Sequence, residues 1–396
     1  MNLFKNLNGD KTIWAIIGAM GIFSFLPVYS ASTNLVYVVS NGTTTGHLIK
    51  HGVLLLLGFF IIYATHKIPY KYFSGLSVIM IPVVLLLLAY TLLQPRDANS
   101  IMAARWISVP FTGFKFQTST LAGVVLMVYV SRYFAKNKDN NITFKESILP
   151  LWLPVLAVIG FIFPANFSTA AILFTMVVMM AFLGNYPIKY LLLIGATGIG
   201  LVVLFILTVK AFPESFKNSR VQTWINRIES YSDKDSKENY QSFKAQVAIY
   251  SGGIQGKGPG KSVQKNFLPQ SSSDFIYAII AEEYGLIGAI VLLSMYLLLL
   301  FRIVMIATKT ESIFGTLAVL GVGIPIVFQA LINMAVAVGL FPVTGQPLPL
   351  ISAGGTSIWM TAFALGIILS VSAAKEKQDK ENDKDNPLDV LHETIG

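Results

Sequence analysis

The sequence predicts an all-α integral membrane protein, and three observations carry that prediction. Hydrophobic residues make up 54% of the chain and charged ones 12%, whereas about a quarter of the residues in a soluble domain are charged. Apolar runs that can cross a hydrocarbon layer of about 30 Å, which takes roughly 20 helical residues, recur along almost the whole chain. Lys and Arg, finally, collect in alternate connecting segments. The formal net charge of +9 is then in part a topological signal, and a membrane accounts for it without nucleic acid as a partner.

Ten spans follow from these runs: 12–32, 47–65, 72–93, 116–135, 147–163, 167–184, 187–212, 274–302, 312–336 and 354–374. The fifth and sixth are short and separated only by the break at Pro164. Short cytoplasmic loops accumulate Lys and Arg. With the N-terminus inside, the inner segments hold Lys5, Lys11, Lys67, Lys71, Arg132, Lys136, Lys138, Lys145, Lys189, Arg302 and Lys309, and the short outer loops only Lys50, Arg96, Arg105 and Lys115. Both termini are therefore expected in the cytoplasm. The segment 213–273 is too long for the rule to govern and is expected outside, as one large loop between the seventh and eighth spans. Residues 1–374 read as a single polytopic domain. The tail 375–396, dense in alternating charge, reads as disordered and cytoplasmic. The first span has no small-residue cleavage site behind a short apolar core and reads as retained.

Three clusters on the outer side are candidates for chemistry. The first, GGIQGKGPGKSVQKNFLPQSSSDFIYAIIAEEYG from Gly252 to Gly285, is a glycine-rich basic loop that runs into the eighth span. Counting back from Arg302 puts the edge of the hydrocarbon near Glu282, with Asp274 roughly 12 Å further out, in the outer headgroup layer or in a cavity opening there. A carboxylate there suits two roles that do not exclude each other, an N-cap after Ser271 to Ser273 and a general base. Glu282 and Glu283 lie deeper and read as pairing or positioning groups, Glu283 counting with the substrate-binding set. Lys257, Lys261 and Lys265 recur every four residues among glycines that let backbone amides turn toward an anion, a combination suited to phosphate. It is not a nucleotide-binding loop: GKS at 260–262 has Gln255 where the first glycine of that motif belongs.

The second cluster, PVTGQPLPLISAGGTS from Pro342 to Ser357, precedes the last span, whose N-terminal end near Gly354 and Gly355 favours an anion. A tight proline-rich loop with a hydroxyl cap is the plainer alternative. The third is Arg105 with Trp106, a guanidinium for phosphate beside an interfacial aromatic, or else a surface anchor. No metal site is predicted. The chain has no cysteine, and only His47 and His51 stand at i, i+4, without a carboxylate nearby.

These clusters, in this order on ten spans, resemble the SEDS family of shape, elongation, division and sporulation proteins across residues 10–374. The most specific stretches are YQSFKAQVAIYSGGIQGKGPGKSVQKNFLPQSSSDFIYAIIAEEYG, from Tyr240 to Gly285, and NMAVAVGLFPVTGQPLPLISAGGTS, from Asn333 to Ser357. The wording GPGKSVQKNFLP is closer to division-type than to elongation-type members. The resemblance implies a peptidoglycan glycosyltransferase that polymerises lipid II at the outer face of the bacterial cytoplasmic membrane. It places the family's essential aspartate at Asp274, its RW motif at Arg105 and Trp106, its loop lysines at Lys257 and Lys265, and its final glycine motif at Ser352, Gly354, Gly355 and Ser357. It also implies a class B penicillin-binding transpeptidase and other divisome proteins as partners. Two departures stand out. Where many members read QPSE and then a lysine, this chain has Gln117, Thr118, Ser119 and Thr120, then Gly123; where members read PDxGT, it has Asn166 in place of the acid.

On this reading Asp274 takes the proton of an acceptor sugar hydroxyl, and Arg105, Lys257, Lys265 and the amides near Gly354 and Gly355 clamp the pyrophosphate leaving group. The only cofactor this chemistry leaves room for is a divalent cation, Mg or Mn, bridging phosphates. Transport of a lipid-linked sugar and a non-catalytic scaffold stay open as alternatives from the residues alone.

Overall fold

Lipid offers no partner for backbone N–H and C=O groups, so apolar spanning segments close their hydrogen bonds internally as helices. In the computed structural model, which describes residues 7–37, 42–94, 106–108, 115–140, 142–211, 237–268 and 270–384, they do so. The helices are α1 (Lys11–Tyr37), α2 (Thr44–His66), α3 (Lys71–Leu93), α4 (Thr118–Lys136), α5 (Phe144–Ser147), α6 (Leu153–Ile162), α7 (Phe167–Leu183), α8 (Ile188–Ala211), α9 (Lys237–Gly252), α10 (Ile276–Lys309), α11 (Ile313–Ala337) and α12 (Thr356–Lys384). A π-helical turn, Ile148–Trp152, joins α5 to α6 as one span. Among the described residues nine stretches are long and apolar enough to cross a bilayer, and Phe167–Leu183 is a shorter apolar helix beside them. The ten expected spans are thus all present as helices.

Burial separates centre from rim. Of the most apolar window of each helix, 67% is buried in α12 and only 6% in α8, so α12 is central and α8 faces lipid. Small residues allow the central helices to approach closely. At Gly366 of α12 a Cβ would come within 2.6 Å of Thr65 on α2.

The π turn has a local cause. In an α-helix the Pro150 carbonyl would accept from residue 154, but Pro154 has no N–H. The Tyr129 hydroxyl of α4 donates to that carbonyl instead. Nearby, the buried Tyr186 hydroxyl accepts from Trp152 Nε1 at 3.2 Å and lies 2.7 Å from Ser147 Oγ, fastening the α7–α8 turn to the π turn.

Two ends of the bundle are defined by contacts. At one, Arg302 pairs with Asp10, and Gly9 N–H donates to Glu376 at 3.1 Å. At the other, Ser30 near the end of α1 meets Lys265, and the N–H of Gln117 donates to Thr356 Oγ1 at 3.1 Å. Asp274 belongs to this second end.

Three features differ from the sequence expectation. A two-stranded antiparallel ribbon, β1 (Trp106–Ser108) and β2 (Lys115–Gln117), precedes α4, pairing Ile107 with Phe116. The expected outer loop 213–273 contains α9, whose alanines Ala245 and Ala248 are buried; residues 212–236 lie outside the described set. The tail is helical at its start, because α12 runs on to Lys384. Glu311 accepts from Lys375 at 3.3 Å and Gln378 at 2.8 Å, and Lys375 also pairs with Asp379 one turn on. Gln378 and Lys375 hold the Glu311 carboxyl below the usual carboxylate range. Residues 385–396 lie outside the described set.

Tyr186→Phe leaves the Trp152 N–H without a partner. It should lower the free energy of unfolding by about 1–3 kcal/mol, read as a lower unfolding midpoint of the purified protein in detergent.

Candidate functional site

The site begins with a break in a helix. Gly285 adopts φ 67° and ψ −166° inside α10, so the helical ladder cannot continue through it. In a continuous helix Leu286 N–H would bond the Glu282 carbonyl and Ile287 N–H the Glu283 carbonyl. The chain after α9 takes both halves of both bonds. Lys257 N–H donates to Glu282 O at 3.0 Å and Gly258 N–H to Glu283 O at 2.9 Å, while Leu286 N–H donates to Gly253 O at 2.9 Å and Ile287 N–H to Ile254 O at 3.3 Å. The approach is close enough to require glycine. A Cβ at Gly256 (φ +81°) would lie 2.2 Å from Glu283 O, and one at Gly285 would lie 2.3 Å from Ile254 O.

The structure adds an internal role for this loop. Its glycines serve backbone approach to α10, and its amides serve an anion that the protein itself provides. The Glu282 carboxylate, fully buried, accepts from Lys257 Nζ at 2.6 Å, Ser262 Oγ at 2.5 Å, Val263 N at 3.1 Å, Gln264 N at 3.2 Å and Ser251 Oγ at 3.3 Å. A buried carboxylate is tolerated when it is paired and hydrogen-bonded to this extent. Lys257 thus pairs with Glu282 through one of its ammonium N–H groups. Glu283, 1% exposed, accepts from Ser30 Oγ and from Ser262 N–H at 3.3 Å through Oε1, while its Oε2 is buried with no hydrogen-bond partner. Lys265 Nζ donates to Ser30 Oγ at 3.1 Å and Gly260 O at 2.8 Å, so Ser30 bridges the Lys265 ammonium and the Glu283 carboxylate.

Asp274 lies in the turn that follows. The N-cap of α10 is Phe275, not Asp274, because the turn 270–275 is shaped by contacts with the Gln346–Ala353 segment rather than by the helix. Asn333 Nδ2 donates to the Asp274 carbonyl at 2.8 Å and to the Gln346 carbonyl at 2.7 Å. Ser352 Oγ donates to Ser273 O at 2.6 Å and accepts from Leu348 N at 2.7 Å, and Ala353 N–H donates to Ser272 O at 2.9 Å. Both segments are pinned through their backbones, which leaves the half-buried Asp274 side chain beside Gly345, where a Cβ would lie 3.5 Å from Oδ2.

The remaining expected residues sort clearly. Ser352 is a structural pin. Gly354 and Gly355 form the turn into α12, and around Gly355 (φ +54°) the space is open. Ser357 is buried and lines a cavity of about 110 Å³ between α4, α7, α11 and α12, together with Ser119, Thr120, Thr169 and Gln346 at its polar end. No ionisable side chain lines that cavity, which is where Thr120 and Gly123 fall; Asn166 caps α7 by accepting from Thr169 N at 3.3 Å. Asp274 is its neighbour through Asn333 and Gln346, not part of its wall. Trp106 heads β1, and Arg105 lies outside the described residues. Among the described residues no three His, Asp or Glu side chains gather to hold a metal ion.

Sequence reasoning did not single out Ser30, Ser262, Asn333 or Gln346. A polar residue such as Asn333 within an apolar span was the one available signal; the others meet partners far away in sequence.

A many-span helical bundle whose acids and lysines converge at one end, around a broken helix, defines a polytopic membrane protein with an interfacial polar site. The chain belongs to the FtsW, RodA and SpoVE family of cell cycle proteins, whose profile matches residues 10–377. It is 32% identical over 390 residues to the probable peptidoglycan glycosyltransferase FtsW of Enterococcus hirae, with 95% of each chain covered. With the protein of the same name from Geobacter sulfurreducens it shares 30% identity over 383 residues, 94% of this chain and 98% of the other. Among solved structures, a chain from work on structural coordination of polymerization and crosslinking by a peptidoglycan synthase complex superimposes with a TM-score of 0.71 at 25% identity, covering 93% of this chain and 98% of that one. RodA of Thermus thermophilus shares the fold with a TM-score of 0.64 at 24% identity, over 93% and 97% of the two chains.

Gly256→Ala forces a side chain into the carbonyl of Glu283 and into a left-handed backbone that costs about 1–2 kcal/mol by itself. Trypsin cleavage at Lys257 and Lys261 in the folded protein should rise roughly tenfold or more, since proteolysis follows the population of the opened loop.

Proposed function

We infer that this chain is a peptidoglycan glycosyltransferase that polymerises lipid II into glycan strands during cell division. It works at the outer face of the bacterial cytoplasmic membrane, with both termini inside. The observation that carries the mechanism is the half-buried Asp274 carboxylate, held from both sides through backbone hydrogen bonds at the end of the bundle where the polar groups converge.

In this mechanism Asp274 accepts the proton of the 4-hydroxyl of the acceptor GlcNAc as that oxygen attacks the anomeric carbon of the donor MurNAc. The new carbon–oxygen bond forms as the bond to undecaprenyl pyrophosphate breaks. An α-linked donor gives a β-linked product, so one inverting displacement suffices. The pyrophosphate charge needs donors in a fixed position. Lys265, which has three N–H groups and spends two on Ser30 and Gly260, keeps one for a phosphate, and the exposed Lys261 lies on the same loop. Arg105 and the amide of Gly355 complete the proposed clamp, the Gly354 N–H being bonded to the Ser352 carbonyl at 2.7 Å. Lys257 contributes by holding Glu282 and thereby the loop. A divalent cation, Mg or Mn, would supply further charge stabilisation to the pyrophosphate, although among the described residues no three His, Asp or Glu side chains gather to hold one. The proposed partner is a class B penicillin-binding transpeptidase that cross-links the emerging strand, together with other division proteins; the likeness to a chain of a peptidoglycan synthase complex supports that pairing.

Purified Asp274→Ala and Asp274→Asn variants, given lipid II and the cognate transpeptidase, should lose about 10²–10⁴-fold in polymerisation rate, the usual worth of a general base, with unchanged unfolding midpoints. Glycan chains formed at the wild-type rate by either variant would remove Asp274 from that role, and a lipid transporter would make no glycan product at all.

A further inference from the structure

The end of the bundle opposite Asp274 carries a second polar cleft that the polymerisation chemistry does not use. It has a volume of about 660 Å³ and lies between the start of α3, the last turns of α4 and the segment from Asn137 to Pro150. Its place follows from the chain: α4 starts at the Asp274 end, where Gln117 meets Thr356, and ends on the far side at Lys136.

Three properties define what it fits. First, cationic donors are in reserve. Arg132 uses Nη1 on Ser74 Oγ at 3.1 Å, and neither its remaining N–H groups nor Lys136 makes an ion pair among the described residues. Second, the facing carboxylate is already engaged. Glu146 accepts from Thr143 Oγ1 at 2.7 Å and Thr143 N at 3.4 Å in a capping box, so two cations face one acid that has its own donors. Third, the wall is shaped and held: Tyr129 is tied to the Pro150 carbonyl, and Asn137 Nδ2 to the Tyr133 carbonyl at 2.9 Å. Val78 of the lining is 42% exposed, and apolar residues next to the lining in sequence are exposed as well, Ile79 67%, Ile148 42% and Leu149 71%. A guanidinium fork beside an ammonium matches phosphate oxygens, and basic pockets between spanning helices at the bilayer surface hold anionic headgroups.

We propose that this cleft binds a phosphate group, that of an anionic phospholipid in the adjoining leaflet. Arg132 and Lys136 take the phosphate, Tyr133 and Asn137 line the headgroup, and the acyl chains run along Val78, Ile79 and Leu149. A zwitterionic lipid would bring a third cation into a cleft that already holds two, so selection should favour net negative charge.

Native mass spectrometry of the full-length protein in detergent, offered equal phosphatidylglycerol and phosphatidylcholine, tests this without any variant. Preferential retention of phosphatidylglycerol is the expected result; equal retention overturns the proposal. Arg132→Gln with Lys136→Gln should then weaken phosphatidylglycerol binding roughly thirtyfold, equivalent to about 2 kcal/mol for two interfacial cations. The charge-matched Lys138→Gln with Lys145→Gln, whose side chains lie outside the cleft, should change it little. Equal losses in the two double variants would show general charge attraction and overturn the site. Titration with sn-glycerol 3-phosphate separates the sources of phosphate: no competition at millimolar concentration assigns the lipid, whereas competition that abolishes lipid retention assigns a soluble phosphate ester and overturns the lipid.

Discussion

The structure depends on a helix that is broken inside a membrane protein and repaired by another part of the chain. At Gly285 two backbone bonds of α10 are lost, and the segment Gly253–Gly258 supplies a partner to each of the four groups set free. In an apolar environment each such group left alone costs several kcal/mol, so the break and the loop are stable only together. The glycines at 256 and 285 are there because two backbones meet at a distance no side chain permits.

The repair has electrostatic consequences. It draws the chain across the first turns of α10, where Glu282 and Glu283 are buried, and the loop becomes the shell that satisfies them. Ser262 is shared by both acids, and Ser30 couples Glu283 to Lys265. A loop that reads as a phosphate cradle is thus in part occupied by the protein's own carboxylates. The bundle is fixed at the same time: α1, α9 and α10 are joined through side chains and backbone within one polar layer.

From that layer the chain leads directly to Asp274, whose turn is held by Asn333, Ser352 and Ala353. These bonds go to main-chain carbonyls, so the backbone of the turn that carries Asp274 is fixed from the Asn333 and Ser352 sides. The adjoining cavity is lined by hydroxyl and amide groups where many relatives are expected to carry an acid and a lysine. Losing both charges together leaves no uncompensated ion there; Thr120 and Gly123 stand at the two positions.

By itself the sequence determined that the chain is a polytopic helical protein and where each span lies, because length and hydropathy are local properties and the bilayer imposes them on every span alike. It also singled out 252–285, 342–357 and Arg105 with Trp106 as candidates for chemistry, since clustered glycine, proline, lysine and acid have no place in ordinary spans. The small ribbon before α4 and helix α9 were not legible, as a three-residue strand or a polar helix gives no periodic signal strong enough to separate it from a loop. Which charges pair with which was decided by the tertiary structure alone. Lys257 with Glu282, Ser30 with Lys265 and Asn333 with the Asp274 turn are contacts between residues from 25 to 235 positions apart, and only packing three helices around one broken one brings them within reach.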